Sequence, residues 1–156
     1  MKLYQIKSKQ VLPMMLNDAW NFFSNPRNLS KITPPWLNFK ITSDLPDRMY
    51  EGMIISYKVY PLLGIPSNWV TEITRMKEME FFIDEQRLGP YKFWHHQHLF
   101  KEIEEGIEMT DIVNYSIPLD PLSRPLNTLF VGKKVKEIFE FRKEVLNRLF
   151  QTKKAV

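Results

Sequence analysis

The chain has 156 residues, of which 44% are hydrophobic, 26% charged and 13% aromatic, and its formal net charge is +4. This length and composition predict one globular domain over residues 1–156 and exclude a mainly disordered chain. The sequence contains no cysteine, which excludes disulfides, thiolate metal sites and cysteine nucleophiles. It shows neither an apolar run of membrane-spanning length nor a signal peptide, so we expect a cytoplasmic protein without stable membrane insertion.

The basic excess lies at the C-terminal end of the chain. Residues 133–156 carry eight basic and three acidic side chains, and the remaining residues are close to neutral. A nucleic-acid-binding protein usually presents a broader basic surface than one segment provides. We therefore expect no nucleic-acid partner.

In chain order, alternation over Lys2–Leu12 predicts a first strand. Two short helices follow, one starting at Asn17 or Asp18 and one over Arg27–Ile32. Strand signals then come close together without intervening helices, which favours an antiparallel meander. The predicted strands are Trp36–Thr42, Met53–Tyr60, Ser67–Met76, Phe81–Leu88, Tyr91–Ile103 and Ile107–Ile117.

A long amphipathic helix is predicted over about Leu126–Thr152, and Arg142 interrupts its apolar stripe. The stripe consists of Val131, Val135, Ile138, Val145 and Leu149. A curved antiparallel sheet of about seven strands, wrapped around this helix and with two short helices after the first strand, satisfies this order. The predicted class is therefore α+β. We expect such a cup to enclose a cavity lined by aromatic and methionine side chains.

This element order and three stretches of sequence resemble the helix-grip superfamily, also called START-like or SRPBCC. The stretches are Gly64–Ile73, Asp84–Phe100 and Glu108–Tyr115. They are most similar to a bacterial branch described as polyketide cyclase/dehydrase-like or cell-division-inhibitor-like. The resemblance implies the helix-grip fold, but members of this superfamily range from lipid carriers to cyclases and hydrolases, so it does not select an activity.

All three histidines fall in one predicted strand. Because strand side chains alternate between faces, the aromatic-flanked set is predicted to point inward; it consists of Trp94, His96, His98 and Phe100. The more apolar set on the next strand consists of Met109, Asp111, Val113 and Tyr115. A register with Phe100 opposite Met109 places His98 beside Asp111, whereas a bulge at Gly106 would shift the register by one residue.

A carboxylate beside an imidazole fixes its tautomer and favours its charged form. The His98–Asp111 pair can therefore be a satisfied polar pair in the cavity wall, a ligand contact or a general acid–base pair. His96 and His98, with Asp111, also have the spacing of metal ligands. Since this pattern often arises by chance, the sequence predicts neither a metal nor a cofactor.

Our leading hypothesis from the sequence is binding of a small hydrophobic ligand (a lipid, a polyketide-like or an isoprenoid-like compound) in a cavity between the sheet and the C-terminal helix. The candidate ligand-binding residues are Phe39, Trp69, Thr71, Asp84, Gln86, Trp94, His96, His98, Asp111 and Tyr115. For Asp84 and Gln86 the alternative is a solvated strand face. An enzyme of cyclase, dehydratase or hydrolase type, with His98 and Asp111 as the acid–base pair, is the alternative function. Docking of the basic helix on a membrane surface or a partner is the third. The sequence leaves the oligomeric state open.

Overall fold

The computed structural model describes residues 2–62, 64–118 and 123–151, and in this part of the chain seven antiparallel strands form one curved sheet. The strands are β1 (Tyr4–Leu12), β2 (Lys40–Ile41), β3 (Ile54–Leu62), β4 (Ile65–Lys77), β5 (Phe81–Leu88), β6 (Phe93–Ile103) and β7 (Gly106–Ser116). Their spatial order is β1-β7-β6-β5-β4-β3-β2, so β2 to β7 form the predicted meander and β1 pairs with β7. The predicted fold class is confirmed.

Helical segments occupy the two positions where the sequence predicts them. Between β1 and β2 lie α1 (Leu16–Phe23) and two 3₁₀ segments, Pro26–Ile32 and Pro35–Leu37. After β7 come α2 (Ser123–Leu126), a π-helical turn (Asn127–Val131) and α3 (Gly132–Gln151). These three elements are consecutive, so the helical segment begins at Ser123, three residues before the predicted start at Leu126. Its long regular part, α3, begins only at Gly132. Its predicted end at Thr152 lies outside the described residues.

Two local predictions are wrong. Most of the predicted strand Trp36–Thr42 is not a strand, because Pro35 begins a 3₁₀ turn and Asn38 ends it in the left-handed region with φ 43°. Only Lys40–Ile41 pairs with β3. The first helix begins at Leu16, and neither Asn17 nor Asp18 caps it, since Met15 occupies the N-cap without a side-chain bond.

The buried face of α3 differs from the predicted stripe. Val135, Phe139, Arg142 and Leu146 are buried, at the spacing of one helix face. Leu149, which was predicted to belong to the stripe, is 42% exposed. Arg142 therefore lies within the buried face and does not interrupt it. No helix among the described residues is long and apolar enough to cross a membrane.

Gly106 lies at the tight β6–β7 turn and has φ +132°. A Cβ added there would lie 2.2 Å from the Leu12 carbonyl oxygen on β1. We expect Gly106→Ala to lower the free energy of unfolding by about 1–3 kcal/mol, from backbone strain together with this clash, as measured by urea denaturation. Gly52→Ala is the matched control, because Gly52 also has positive φ but no atom within 4 Å of the added Cβ. Equal losses of unfolding free energy in Gly106→Ala and Gly52→Ala would mean that the contact with Leu12 contributes nothing.

Candidate functional site

Three adjacent strands place four polar side chains together on the inner face of the sheet. Asp84 on β5 lies opposite His96 on β6. His98, also on β6, lies opposite Asp111 on β7, so the predicted β6–β7 register is confirmed. Since diagonal neighbours on an antiparallel sheet also come within reach of one another, each carboxylate can contact both imidazoles.

These four side chains, which we call the His–Asp cluster, form a closed ring of nitrogen–oxygen contacts. Asp111 Oδ1 lies 3.0 Å from His96 Nε2 and 2.9 Å from His98 Nδ1. Asp84 Oδ2 lies 3.3 Å from His96 Nδ1 and 2.9 Å from His98 Nε2. Two of the contacts, His96 Nε2 to Asp111 and His98 Nε2 to Asp84, also have the alignment of hydrogen bonds. Each imidazole thus uses one nitrogen toward each carboxylate.

Arg142 reaches the His–Asp cluster from α3. Its Nη2 lies 3.7 Å from Asp111 Oδ1 and 3.5 Å from His98 Nδ1. The guanidinium carbon lies 5.5 Å from the centre of the Phe23 ring. Sequence reasoning missed this partner. The sequence did contain a signal, because a cation within an apolar helical stripe becomes buried when the stripe packs on the sheet. A buried cation needs an anionic partner on the sheet surface that it contacts.

The electrostatics of the His–Asp cluster favour ionised carboxylates. Burial alone would raise the pKa of the Asp111 carboxyl, but the Arg142 guanidinium and the two imidazoles hold it well below its usual range. The pKa of Asp84 is lowered as well, because the two imidazoles outweigh burial. Burial also disfavours the charged form of His96, yet the two carboxylates raise its pKa. Arg142 therefore supplies one fixed positive charge beside the two carboxylates, and the raised pKa of His96 favours its charged form.

The His–Asp cluster borders a largely apolar pocket of about 180 Å³. This volume is several times the roughly 30 Å³ that one water molecule occupies in the liquid, so it is large enough for a compact organic molecule. Its wall is formed by α1, the first 3₁₀ segment, α3 and the inner face of β3 to β6. Of the residues selected from the sequence, those that line it are Phe39, Trp69, Thr71, Asp84, Trp94, His96 and His98.

Three other residues selected from the sequence do not line the pocket. Asp111 lies behind the two histidines. The Gln86 side-chain amide donates to the Tyr91 carbonyl at 2.7 Å and its oxygen accepts from the Tyr91 backbone N–H, so it braces the β5–β6 turn. The Tyr115 hydroxyl donates to the Asn127 side-chain oxygen at 2.9 Å and ties β7 to the π-helical turn.

Sequence reasoning also missed two tyrosines that line the pocket, Tyr57 and Tyr91. The Tyr57 hydroxyl is hydrogen-bonded to the Thr71 hydroxyl, and burial raises the pKa of Tyr57. Burial likewise raises the pKa of Tyr91. Both hydroxyls are therefore neutral groups in the wall.

Two residues that line the pocket each carry a hydrogen-bond donor with no partner among the described residues. These donors are the indole Nε1 of Trp69 and the Nε of Arg142, and both atoms are buried. An unfilled buried donor costs about 1–3 kcal/mol. A side-chain shift that turned either N–H toward a ligand oxygen in the pocket would remove this cost.

The structure also brings together three side chains that could hold a metal ion. One oxygen of Asp84 and one nitrogen each of His96 and His98 all lie within 4.8 Å of one another. This set differs from the one considered from sequence, because Asp84 takes the place of Asp111.

Comparison with known proteins identifies the fold. No family model and no curated protein matches the chain. Among solved structures, it is similar to protein CV1439 from Chromobacterium violaceum, with a TM-score of 0.71 and 13% identity over 94% of this chain and 97% of that one. It is also similar to TTHA0849 from Thermus thermophilus, with a TM-score of 0.68 and 13% identity over 97% of this chain and 100% of that one.

A third similar structure is Ara h 8.0201, with a TM-score of 0.63 and 12% identity over 95% of this chain and 97% of that one. At such low sequence identity, structural similarity shows a shared fold but does not show a shared function. Together with the curved sheet and the long helix packed against it, these likenesses show that the chain has the helix-grip fold.

Proposed function

We propose that the protein binds one small, largely apolar molecule that carries a hydrogen-bond-accepting oxygen. The observation that supports this most strongly is the pocket of about 180 Å³ beside the His–Asp cluster. Apolar pockets with a few polar groups are typical of small-molecule sites. The helix-grip fold is itself suited to enclosing a hydrophobic ligand.

The pocket wall favours a flat, ring-containing ligand. The Trp69 ring lies 5.9 Å from that of Tyr57, 5.5 Å from that of Tyr91 and 5.3 Å from that of Trp94, measured between centroids. Aromatic faces and edges of this kind offer stacking and edge contacts to another ring. The pocket volume favours a compact polyketide-like or short isoprenoid-like compound over a long-chain lipid.

The two unfilled donors supply the polar part of the recognition. When the ligand binds, a small shift of the Trp69 or Arg142 side chain lets a carbonyl or phenolic oxygen accept from Trp69 Nε1 or Arg142 Nε, whereas a hydrocarbon of the same shape cannot accept. A net contribution of about 1 kcal/mol for such a bond corresponds to about fivefold in affinity.

A pair of probes of similar shape tests this preference. We expect 2-tetralone, which has one carbonyl, to bind about fivefold more tightly than tetralin, which has none. Isothermal titration calorimetry with both compounds measures the ratio. Trp69→Phe keeps a ring and removes the indole N–H, so it should reduce the advantage of the ketone. Trp36→Phe is the control, because Trp36 is 41% exposed and lies outside the pocket.

Either of two results would contradict the proposal. The first is that neither probe binds and that no small molecule is extracted from the purified protein and detected by mass spectrometry. The second is that tetralin and 2-tetralone bind equally well, which would leave an apolar pocket without the proposed oxygen recognition.

Proton transfer to or from the bound molecule is the second candidate function. It is favoured by one geometric fact: His98 lines the pocket and has its Nδ1 2.9 Å from Asp111 Oδ1. The other nitrogen, His98 Nε2, lies 2.9 Å from Asp84 Oδ2, so His98 can pass a proton through this pocket-lining carboxylate to or from a C–H next to a carbonyl. Exchange of the α-protons of 2-tetralone in D₂O, followed by NMR, should be faster with the wild type than with His98→Gln. Equal rates would exclude this role for His98.

A further inference from the structure

The three side chains at the pocket end of the His–Asp cluster have the spacing of metal ligands. Atoms bound at about 2.0–2.2 Å to a shared tetrahedral metal lie about 3.3 Å from one another. Asp84 Oδ2 lies 3.3 Å from His96 Nδ1 and 2.9 Å from His98 Nε2. All three ligand atoms lie within 4.8 Å of one another, so a modest rearrangement of the side chains would place them around one ion.

Asp111 offers both imidazoles an acceptor oxygen on the side away from Asp84. A neutral imidazole has one N–H and one nitrogen lone pair. Without an ion, the aligned hydrogen bond of His98 runs from Nε2 to Asp84. Metal binding therefore requires the His98 proton to lie on Nδ1, 2.9 Å from Asp111, and the His96 proton on Nε2, 3.0 Å from Asp111, so that both lone pairs face Asp84. Three acceptors then converge on one point without a hydrogen between them. A carboxylate behind a metal-binding histidine is the usual way in which proteins orient this ligand.

The two carboxylates also differ in their position relative to the pocket. Asp84, His96 and His98 line it, and Asp111 does not. An ion held by the first three would therefore face the pocket with a free coordination position. Asp111, held by Arg142 at 3.7 Å, would remain behind the imidazoles as their common hydrogen-bond acceptor.

We propose that Asp84, His96 and His98 bind one divalent transition-metal ion, with Asp111 orienting both imidazoles. Two imidazoles and one carboxylate suit zinc and ferrous ions. With the ion bound, two carboxylates, one guanidinium and the divalent cation leave one positive charge in the cluster. An anionic or strongly polarised oxygen in the pocket can neutralise this charge. The site does not depend on the proposed organic ligand.

Titration of the wild-type protein without any organic ligand tests the site. The protein is first stripped with a chelator, dialysed at pH 7.5 and titrated with Zn²⁺ by calorimetry. A parallel titration with Co²⁺ follows the visible absorption of the bound ion. We expect one equivalent of each ion to bind and the thermal unfolding midpoint to rise with the Zn²⁺ concentration.

Variants then locate the ion. Loss of an orienting carboxylate typically weakens metal affinity about 10–100-fold, which is the expected effect of Asp111→Asn. Asp84→Asn, His96→Gln and His98→Gln should weaken binding further, because each removes a direct ligand. His95→Gln is the matched control and should bind like the wild type. His95 lies on the same strand but faces the other side of the sheet, with Nε2 3.9 Å from Glu85 Oε1.

The wild-type titration decides by itself whether an ion binds, so a variant that fails to fold does not remove the test. Absence of a stoichiometric Zn²⁺ or Co²⁺ site in the stripped wild type would overturn the proposal, and the cluster would then hold only protons. Equal loss of affinity in His95→Gln and His96→Gln would overturn it too. Neither result bears on the binding of 2-tetralone, so the two proposals fail separately.

Discussion

Replacing Arg142 by methionine should lower the free energy of unfolding by about 3–5 kcal/mol. Arg142 is 8% exposed, and its guanidinium is the cation that α3 brings to Asp111, with Nη2 3.7 Å from Oδ1. Methionine fills much of the same space and removes the positive charge beside the buried Asp111 carboxylate and near the half-buried Asp84. Urea denaturation at pH 7.5, in the presence of a chelator, measures the loss without a contribution from metal.

Two further variants separate the charge from the packing. Lys136→Met, on the exposed face of the same helix, should change the free energy of unfolding by less than about 0.5 kcal/mol. Asp111→Asn removes one of the carboxylates that Arg142 neutralises. The double variant Arg142→Met/Asp111→Asn should therefore lose less stability than the two single losses added together, by about 0.5–3 kcal/mol. Strict additivity would mean that Arg142 acts through packing alone.

The His–Asp cluster is not explained by stability. Replacing buried ionic groups by well-packed apolar residues is often neutral or stabilising, because the interior repays their lost hydration only in part. Here Asp84, Asp111 and Arg142 are held at the end of a pocket whose remaining wall is largely apolar. A stabilising core would not need these charges at that place. Recognition of an oxygen or an ion does need them, which is why both proposals start from the cluster.

Strand alternation predicted the most informative part of the site. On β6 and β7 the inward sets are uninterrupted, and the register without a bulge at Gly106, one of the two that the sequence left open, is the one observed. The pairs Phe100–Met109 and His98–Asp111 follow from it. The period of two residues makes such a prediction sharp, since a shift by one residue would turn every side chain to the other face.

The partners contributed by other elements could not be predicted in the same way. The register of β5 on β6 puts Asp84 opposite His96, but the β5–β6 turn contains Gly89 and Pro90, and its length does not fix a register. The rotation of α3 about its axis decides whether Arg142 faces the sheet or the solvent. That rotation depends on packing over many residues, which the sequence does not show. From the hydrophobic pattern alone, Arg142 was therefore predicted to interrupt the stripe.

Truncation of Trp20 to alanine should lower the free energy of unfolding by about 3–5 kcal/mol. Trp20 is 4% exposed and joins α1 to the sheet. Its ring makes edge contacts with Phe82 and Phe100, at centroid distances of 6.2 and 5.7 Å. Phe82 in turn stacks on His98 at 4.1 Å, so the cavity left by the indole would open beside the His–Asp cluster. Urea denaturation followed by circular dichroism measures the loss.

Trp36→Ala is the control for this prediction, because it removes the same side chain from a position that is 41% exposed. Lys134 lies over the Trp36 ring at 4.7 Å, and loss of this cation–π contact should cost about 0.5–1 kcal/mol. Trp20→Phe should recover part of the loss of Trp20→Ala, since a smaller ring still fills part of the space between Phe82 and Phe100. Losses of equal size at Trp20 and Trp36 would contradict the assignment of Trp20 to the core, since only a buried indole leaves a cavity behind.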